Sequence, residues 1–227
     1  MTHFDHKIEL DQYFEKLHVS IKDRSKVWSV LAKYIQKDIP ENAIILELGA
    51  GYCDFINNIK GKTRYAVDLN KETKKYCEKD VKFYNLSCTD LKVFHENSID
   101  TIFASNLFEH LTPLEFQATV DGVKRILRPE GRLIILQPNF YYAYREYFFD
   151  YTHKSIFTHV GLSDFLVVNG FRIRKLMPRL LPASMQSKYG GTNISRIPFL
   201  KLLIQIYLKL PFKLFAKQMY IVAEKNI

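Results

Sequence analysis

Residues 43–54 read Ala43-Ile44-Ile45-Leu46-Glu47-Leu48-Gly49-Ala50-Gly51-Tyr52-Cys53-Asp54, and this stretch decides the fold. A short apolar run with no polar alternation reads as a strand buried on both faces, as in a parallel sheet. The run stops at Gly49-Ala50-Gly51, where glycines let the backbone turn tightly and approach a ligand. A helix beginning after such a turn offers unpaired N–H groups to an anion.

Outward from this point the same unit repeats. Upstream, residues 24–37 place Val27, Val30, Leu31, Tyr34 and Ile35 on one helical face, and Pro40-Glu41 ends the pattern. Downstream, Thr63–Val67 reads as a strand ending at Asp68, Lys71–Lys79 as a polar helix, and Val81–Leu86 and Ile99–Ala104 as strands. Pro113–Leu127 reads as a helix with proline near its start. Pro129-Glu130-Gly131 turns into a fifth strand, Arg132–Leu136. Leu162–Asn169 is expected as a helix closed by Gly170, with Phe171–Leu176 and Met219–Ala223 as final strands. Strands alternating with helices imply βαβ units and right-handed crossovers. The expected architecture is α/β, a Rossmann-like three-layer sandwich. One domain is expected over 1–227: a helical cap (1–40), a cofactor-binding core (43–138), and acceptor-side and C-terminal elements (139–227).

Composition narrows the class of function. The chain has 227 residues, 47% apolar and 25% charged, which suits a packed globular protein and argues against disorder. Net charge is +9, from 33 basic and 24 acidic residues, and favours acidic partners without choosing among them. There is no basic block of the kind that makes a nucleic-acid arm, so nucleic acid is not the expected partner. Cys53, Cys77 and Cys88 lack CxxC spacing, so neither a disulfide framework nor a metal site is expected. The start, MTHFDHKIELDQYF, lacks a signal-peptide pattern, and a cytoplasmic setting is expected.

In open α/β sheets ligands sit beyond the carboxyl ends of the strands. Asp68 follows the second strand as the glycine turn follows the first, and a carboxylate there can accept both hydroxyls of a ribose. A third glycine is missing, since position 54 is Asp, and Tyr52-Cys53 makes the loop bulky for a pyrophosphate. A phosphate loop of the GxxxxGK[ST] type is also absent. A nicotinamide oxidoreductase is thereby disfavoured. S-adenosylmethionine, with a ribose, an adenine and an amino-acid tail, fits better. Glu47 could face its ammonium, and the loop N–H groups its carboxylate.

The segments ILELGAGYCDF, AVDLN, IDTIFASNLFEHL and VKRILRPEGRLIILQPN occur in this order. Over roughly residues 43–138 they resemble the successive motifs of class I S-adenosylmethionine-dependent methyltransferases. REYFFDYTHKSIFTHVGLSDFLVVNGF resembles the segment after the fifth strand in bacterial small-molecule or glycan-associated members. The resemblance implies a seven-stranded, mainly parallel sheet whose last strand, Met219–Ala223, inserts antiparallel. It also implies that Gly49, Ala50 and Gly51 line the cofactor tail, that Asp68 and Leu69 meet the ribose, and that Asn106 lies beside the methionine. Many relatives carry Gly-Asp-Ala after the third strand, where this chain has Leu86-Ser87-Cys88. Adenine would then be read by the Ser87 hydroxyl, the Cys88 N–H or a displaced Asp90.

Methyl transfer to a hydroxyl needs an aligned acceptor and a place for its proton. His153, in an aromatic stretch, and His110, in Phe108-Glu109-His110-Leu111, are the candidate bases, each with a structural role as the alternative. The expected acceptor is a small molecule, a hydroxyl of a sugar or glycan/lipid-linked precursor being preferred. An RNA or DNA methyltransferase and a non-catalytic binder on the same scaffold are the rivals. Residues 197–217 carry Lys201, Gln205, Lys209, Lys213 and Lys217 every fourth position among apolar side chains, with Pro211 between two expected short helices. This segment reads as an amphipathic hairpin over the sheet, or else as a surface that dips into anionic membrane.

Overall fold

The computed structural model describes residues 21–182 and 199–227. The N-terminal part of the expected cap (1–20) and Ile197-Pro198 lie outside the described residues. Seven strands form one sheet: β1 Ile44–Leu48, β2 Thr63–Asp68, β3 Val81–Asn85, β4 Ile99–Ser105, β5 Leu127–Pro138, β6 Phe171–Leu181 and β7 Gln218–Lys225. Their order is β3-β2-β1-β4-β5-β7-β6. The first five pair in parallel. The last strand runs antiparallel between β5 and β6, with Val222 opposite Ile134 and Ala223 opposite Ile173. This is the seven-stranded sheet with an inserted last strand that the family resemblance implies.

The unbroken apolar runs follow from the layering. Successive side chains of a strand point to opposite faces. Leu46, Leu48, Leu133, Ile135, Met219 and Ile221 join one core, together with Phe116, Val120 and Val123 of α2 (Pro113–Ile126) and Leu162 and Leu166 of α4 (His159–Val168). Ile45, Ile134, Leu136, Tyr220 and Val222 join the other, under Val30, Leu31 and Ile35 of α1 (Ile21–Ile35) and Leu208 of α5 (Leu200–Lys209). A short α3 (Phe140–Ala143) follows β5. Both faces are covered, so inner strands such as β1 and β7 are buried nearly throughout, whereas the edge strands β3 and β6 interleave exposed polar residues.

Several local expectations are corrected. Lys71–Lys79 is not an α-helix; only Lys71–Tyr76 coils, as a 3₁₀ turn capped by Asn70, whose side chain accepts from the Glu72 N–H. Pro129-Glu130-Gly131 does not separate helix from strand. It is a bulge within β5, with Glu130 at φ 61°, where pairing jumps from Ile99–Leu127 to Thr101–Arg132. The second half of the lysine-rich segment is not helical. Pro211 ends α5, and Lys213 folds back, its Nζ donating to the carbonyls of Tyr207, Leu208 and Leu210. Lys217 pairs with Glu146. Two lysines of the expected stripe are thus spent on internal contacts.

Candidate active site

A cavity of about 430 Å³ opens at the carboxyl ends of β1, β2, β3 and β4. Gly49 and Gly51 turn the chain out of β1 with φ of 65° and 52°, a region other residues rarely adopt. A Cβ at Gly49 would lie 2.9 Å from Leu107 Cδ1, a side-chain end that can shift, so the backbone conformation is what favours glycine there. The turn is fastened to β2: the N–H groups of Gly49 and Ala50 both donate to the Val67 carbonyl, at 2.9 and 3.2 Å.

Asp68 faces this turn. Its Oδ2 accepts from the Gly51 N–H and its Oδ1 from the Asn70 N–H, each at 2.8 Å. The side chain of Asn85, on β3, donates to the carbonyls of Asp68 and Leu69 and so holds the end of β2 in place. Burial raises the Asp68 pKa, against the lowering effect of those two N–H groups. Glu47 is 4% exposed and accepts from the Ile56 N–H at 3.0 Å. Burial drives its carboxyl well above the ordinary glutamate value, and the charges of Asp54, Cys77 and Asp68 push the same way.

The cavity wall contains Glu47, Gly49, Ala50, Gly51, Asp68, Leu69, Ser87, Cys88 and Asn106, which the sequence singled out as one set. Asp90 is a correction: it lies outside the wall, exposed and 3.9 Å from Lys92. Thr89 stands in the wall instead, its hydroxyl 2.7 Å from that of Ser87. Asn106, at φ 48°, is held by its neighbours; its side chain accepts from Gln218 on β7 and donates to Ser105.

Sequence reasoning missed the wall that comes from α1. Arg24 and Trp28 face the same cavity. Arg24 is anchored by Asp54 at 2.7 Å and lies over the Tyr52 ring, 5.0 Å from its centre. The N–H groups of the glycine turn are already engaged by β2, so they are not the donors for an amino-acid carboxylate that the sequence suggested. Arg24 is the cationic group on that side. Nothing in its local sequence marks it, because the partner Asp54 is 30 residues away.

The two candidate histidines separate. His110, at the end of a 3₁₀ turn (Phe108–His110), is a wall residue. His153 is not: it packs behind His110, ring centres 4.9 Å apart. The loop before α4 is tied to the exit of β4, where the N–H groups of Lys154 and Ser155 donate to the Glu109 carbonyl. This brings Tyr151, Thr152 and Lys154 into the wall. Thr152 Oγ1 donates to Asp150 Oδ1 at 2.6 Å and stands 2.8 Å from His110 Nδ1. A hydroxyl that has spent its proton on Asp150 must accept from Nδ1–H, so His110 carries its proton on Nδ1. Burial and His153 lower the His110 pKa to about 4.

Residues 46–135 match the family model described as a methyltransferase domain. No curated protein matches the chain in sequence. Among solved structures, an S-adenosylmethionine-dependent methyltransferase from Archaeoglobus fulgidus is similar, with a TM-score of 0.61 and 21% identity over 97% of this chain and 100% of that one. An S-adenosylmethionine-dependent methyltransferase from Methanosarcina mazei gives 0.59 and 15%, over 86% and 97%. The 1,6-didemethyltoxoflavin-N1-methyltransferase of Burkholderia thailandensis, solved with 1,6-didemethyltoxoflavin and S-adenosylhomocysteine, gives 0.59 and 16%, over 97% and 86%. The chain thus shares the Rossmann-like fold of these S-adenosylmethionine-dependent methyltransferases, and its residues 46–135 are similar to a methyltransferase domain.

Proposed function

We propose that the cavity binds S-adenosylmethionine and passes its methyl group to a small molecule, a hydroxyl of a sugar or of a glycan or lipid-linked precursor being the preferred acceptor. The observation that carries this reading is the clasp between Asp68 and the Gly51 N–H, which puts the ribose-binding acid and the glycine turn on one wall. Two oxygens offer about four acceptor positions, and two are used by backbone, which leaves capacity for the ribose hydroxyls. Leu69 and Leu86 supply apolar surface for adenine, and Ser87 and the Cys88 N–H are the candidates for its edge. Arg24 takes the methionine carboxylate, Glu47 its ammonium, and Asn106 flanks the chain between them.

On the acceptor side stand His110, Glu115, Tyr151, Thr152 and Lys154. A wall rich in hydroxyl, imidazole and charged groups suits a polyhydroxylated molecule. The methyl group is already activated on the sulfonium, so these residues have to align the acceptor and receive its proton. His110 is the candidate histidine that reaches the wall, and it is the proposed acceptor of that proton.

Calorimetry with S-adenosylmethionine and S-adenosylhomocysteine tests the cofactor half. Asp68→Asn, which keeps shape but loses the charge, is expected to weaken both ligands about 10–100-fold, as for hydrogen bonds to a charged group. A chain that binds neither ligand would be the non-catalytic scaffold, and strongly salt-dependent binding of RNA or DNA would revive the nucleic-acid reading.

A second reading concerns location. Phe199, Phe212 and Phe215 are each 79–80% exposed on the segment around α5, with Lys201 and Lys209 exposed beside them. This combination supports peripheral contact with an anionic membrane, which would bring a lipid-linked acceptor near. No helix among the described residues is long and apolar enough to cross a membrane.

A further inference from the structure

Behind the acceptor wall, Glu109, His110 and His153 converge, with one ligand atom from each within 4.8 Å of the others. Glu109 is fully buried, and both its carboxylate oxygens lack a hydrogen-bond partner. Nδ1 of His153 is likewise buried without one. Among the described residues no lysine or arginine pairs with Glu109. A buried carboxylate with neither partner nor counter-charge is an unfavourable arrangement, and it is relieved by a proton or by a cation.

We infer that Glu109, His110 and His153 form a binding site for a divalent first-row transition ion, such as Zn²⁺, Mn²⁺ or Co²⁺. Two imidazoles and one carboxylate are a donor set for such ions rather than for Ca²⁺ or Mg²⁺, which prefer oxygen. The surroundings have the form that supports ligands. His110 gives its Nδ1–H to Thr152, which is held by Asp150, so its Nε2 carries the lone pair.

The site sits at the acceptor side because His110 belongs to the cavity wall and the other two stand behind it. An ion held by Nε2 would take the lone pair that the proposed transfer reserves for the acceptor's proton, and the ion would then have to replace His110 in that use. This use rests on the proposed methyl transfer to a hydroxyl, whereas metal binding does not.

The test uses the full chain, freed of any affinity tag, stripped with chelator and titrated with Zn²⁺, Mn²⁺ and Co²⁺. Stoichiometric binding of at least one of them is expected, and Co²⁺ should show the visible bands of a mixed nitrogen–oxygen site. Glu109→Gln and His153→Asn should each weaken binding by at least about tenfold. Both variants should keep wild-type affinity for S-adenosylhomocysteine, which shows that the fold is intact without relying on turnover. A His3→Asn/His6→Asn variant should bind metal as before. No binding of any of the three ions, undiminished binding in Glu109→Gln, or loss of binding in the His3/His6 variant would each overturn the site. A failure to bind S-adenosylhomocysteine in the wild-type chain would instead count against the cofactor reading alone.

Discussion

Glu47 shows how one residue can serve a site at the expense of the fold. Its carboxyl is buried at the end of β1, fixed by a single N–H from Ile56, and its pKa lies well above 4.5. The folded chain therefore holds a proton that the unfolded chain releases. Between the ordinary glutamate value and the raised one, stability falls as pH rises; below that window the effect vanishes. Glu47→Gln keeps an acceptor for Ile56 and removes the ionisation. The melting temperature of the ligand-free variant should exceed wild type by about 2–4 °C at pH 8, roughly 1 kcal/mol at this chain length, with the gain shrinking toward pH 5. The same variant should bind S-adenosylmethionine more weakly, since the ammonium loses its counter-charge. Equal melting temperatures at pH 8 would show that the buried acid imposes no cost. At this scale local pattern put Glu47, Gly49 and Asp68 at the carboxyl ends of β1 and β2, and all three line the cavity. The sequence was silent on Arg24, and it pointed to His153 and Asp90 as wall residues because composition near a site does not say which side chains reach it.

Among the elements, α2 was the easiest to read. Thr112 and Glu115 form a capping box, with the Thr112 side chain accepting from the Glu115 N–H and Glu115 Oε2 from the Thr112 N–H, and Pro113 opens the first turn. All of these interactions are local. The segment after residue 198 was read less well, because its four-residue spacing describes a helix that only half of it forms. Pro211 removes the continuing hydrogen bond, and Lys213 supplies donors to the carbonyls left open at the end of α5. What remains outward is apolar and flanked by Lys201 and Lys209. If this face meets lipid, the chain should float with phosphatidylserine vesicles at low salt, and Phe212→Ser/Phe215→Ser should abolish flotation. An unbound wild-type chain under those conditions would end the membrane reading.

For the whole molecule, the position of β7 matters most. Arriving last in sequence, it lies between β5 and β6 and is buried from Gln218 to Glu224. Met219, Tyr220, Ile221, Val222 and Ala223 fill both cores at once. A chain ending at Lys217 would leave β5 and β6 without a common partner and expose apolar surface on both faces of the sheet. That truncation is expected to lose its cooperative thermal transition, whereas removing only Asn226-Ile227 should shift it by less than about 2 °C. A cooperative transition in the longer truncation would show that β7 is dispensable.

Local pattern was enough to set the strands, the turn after β1 and the acid that ends β2. Hydrophobic runs, glycines and capping residues act over a few neighbours, so their consequences can be read along the chain. Only the tertiary structure decided which distant side chains share the cavity: Arg24 with Asp54, Lys154 beside His110, His153 in the second row. Those pairings arise where crossovers bring separate segments to one end of the sheet, and no local pattern encodes the distance between them.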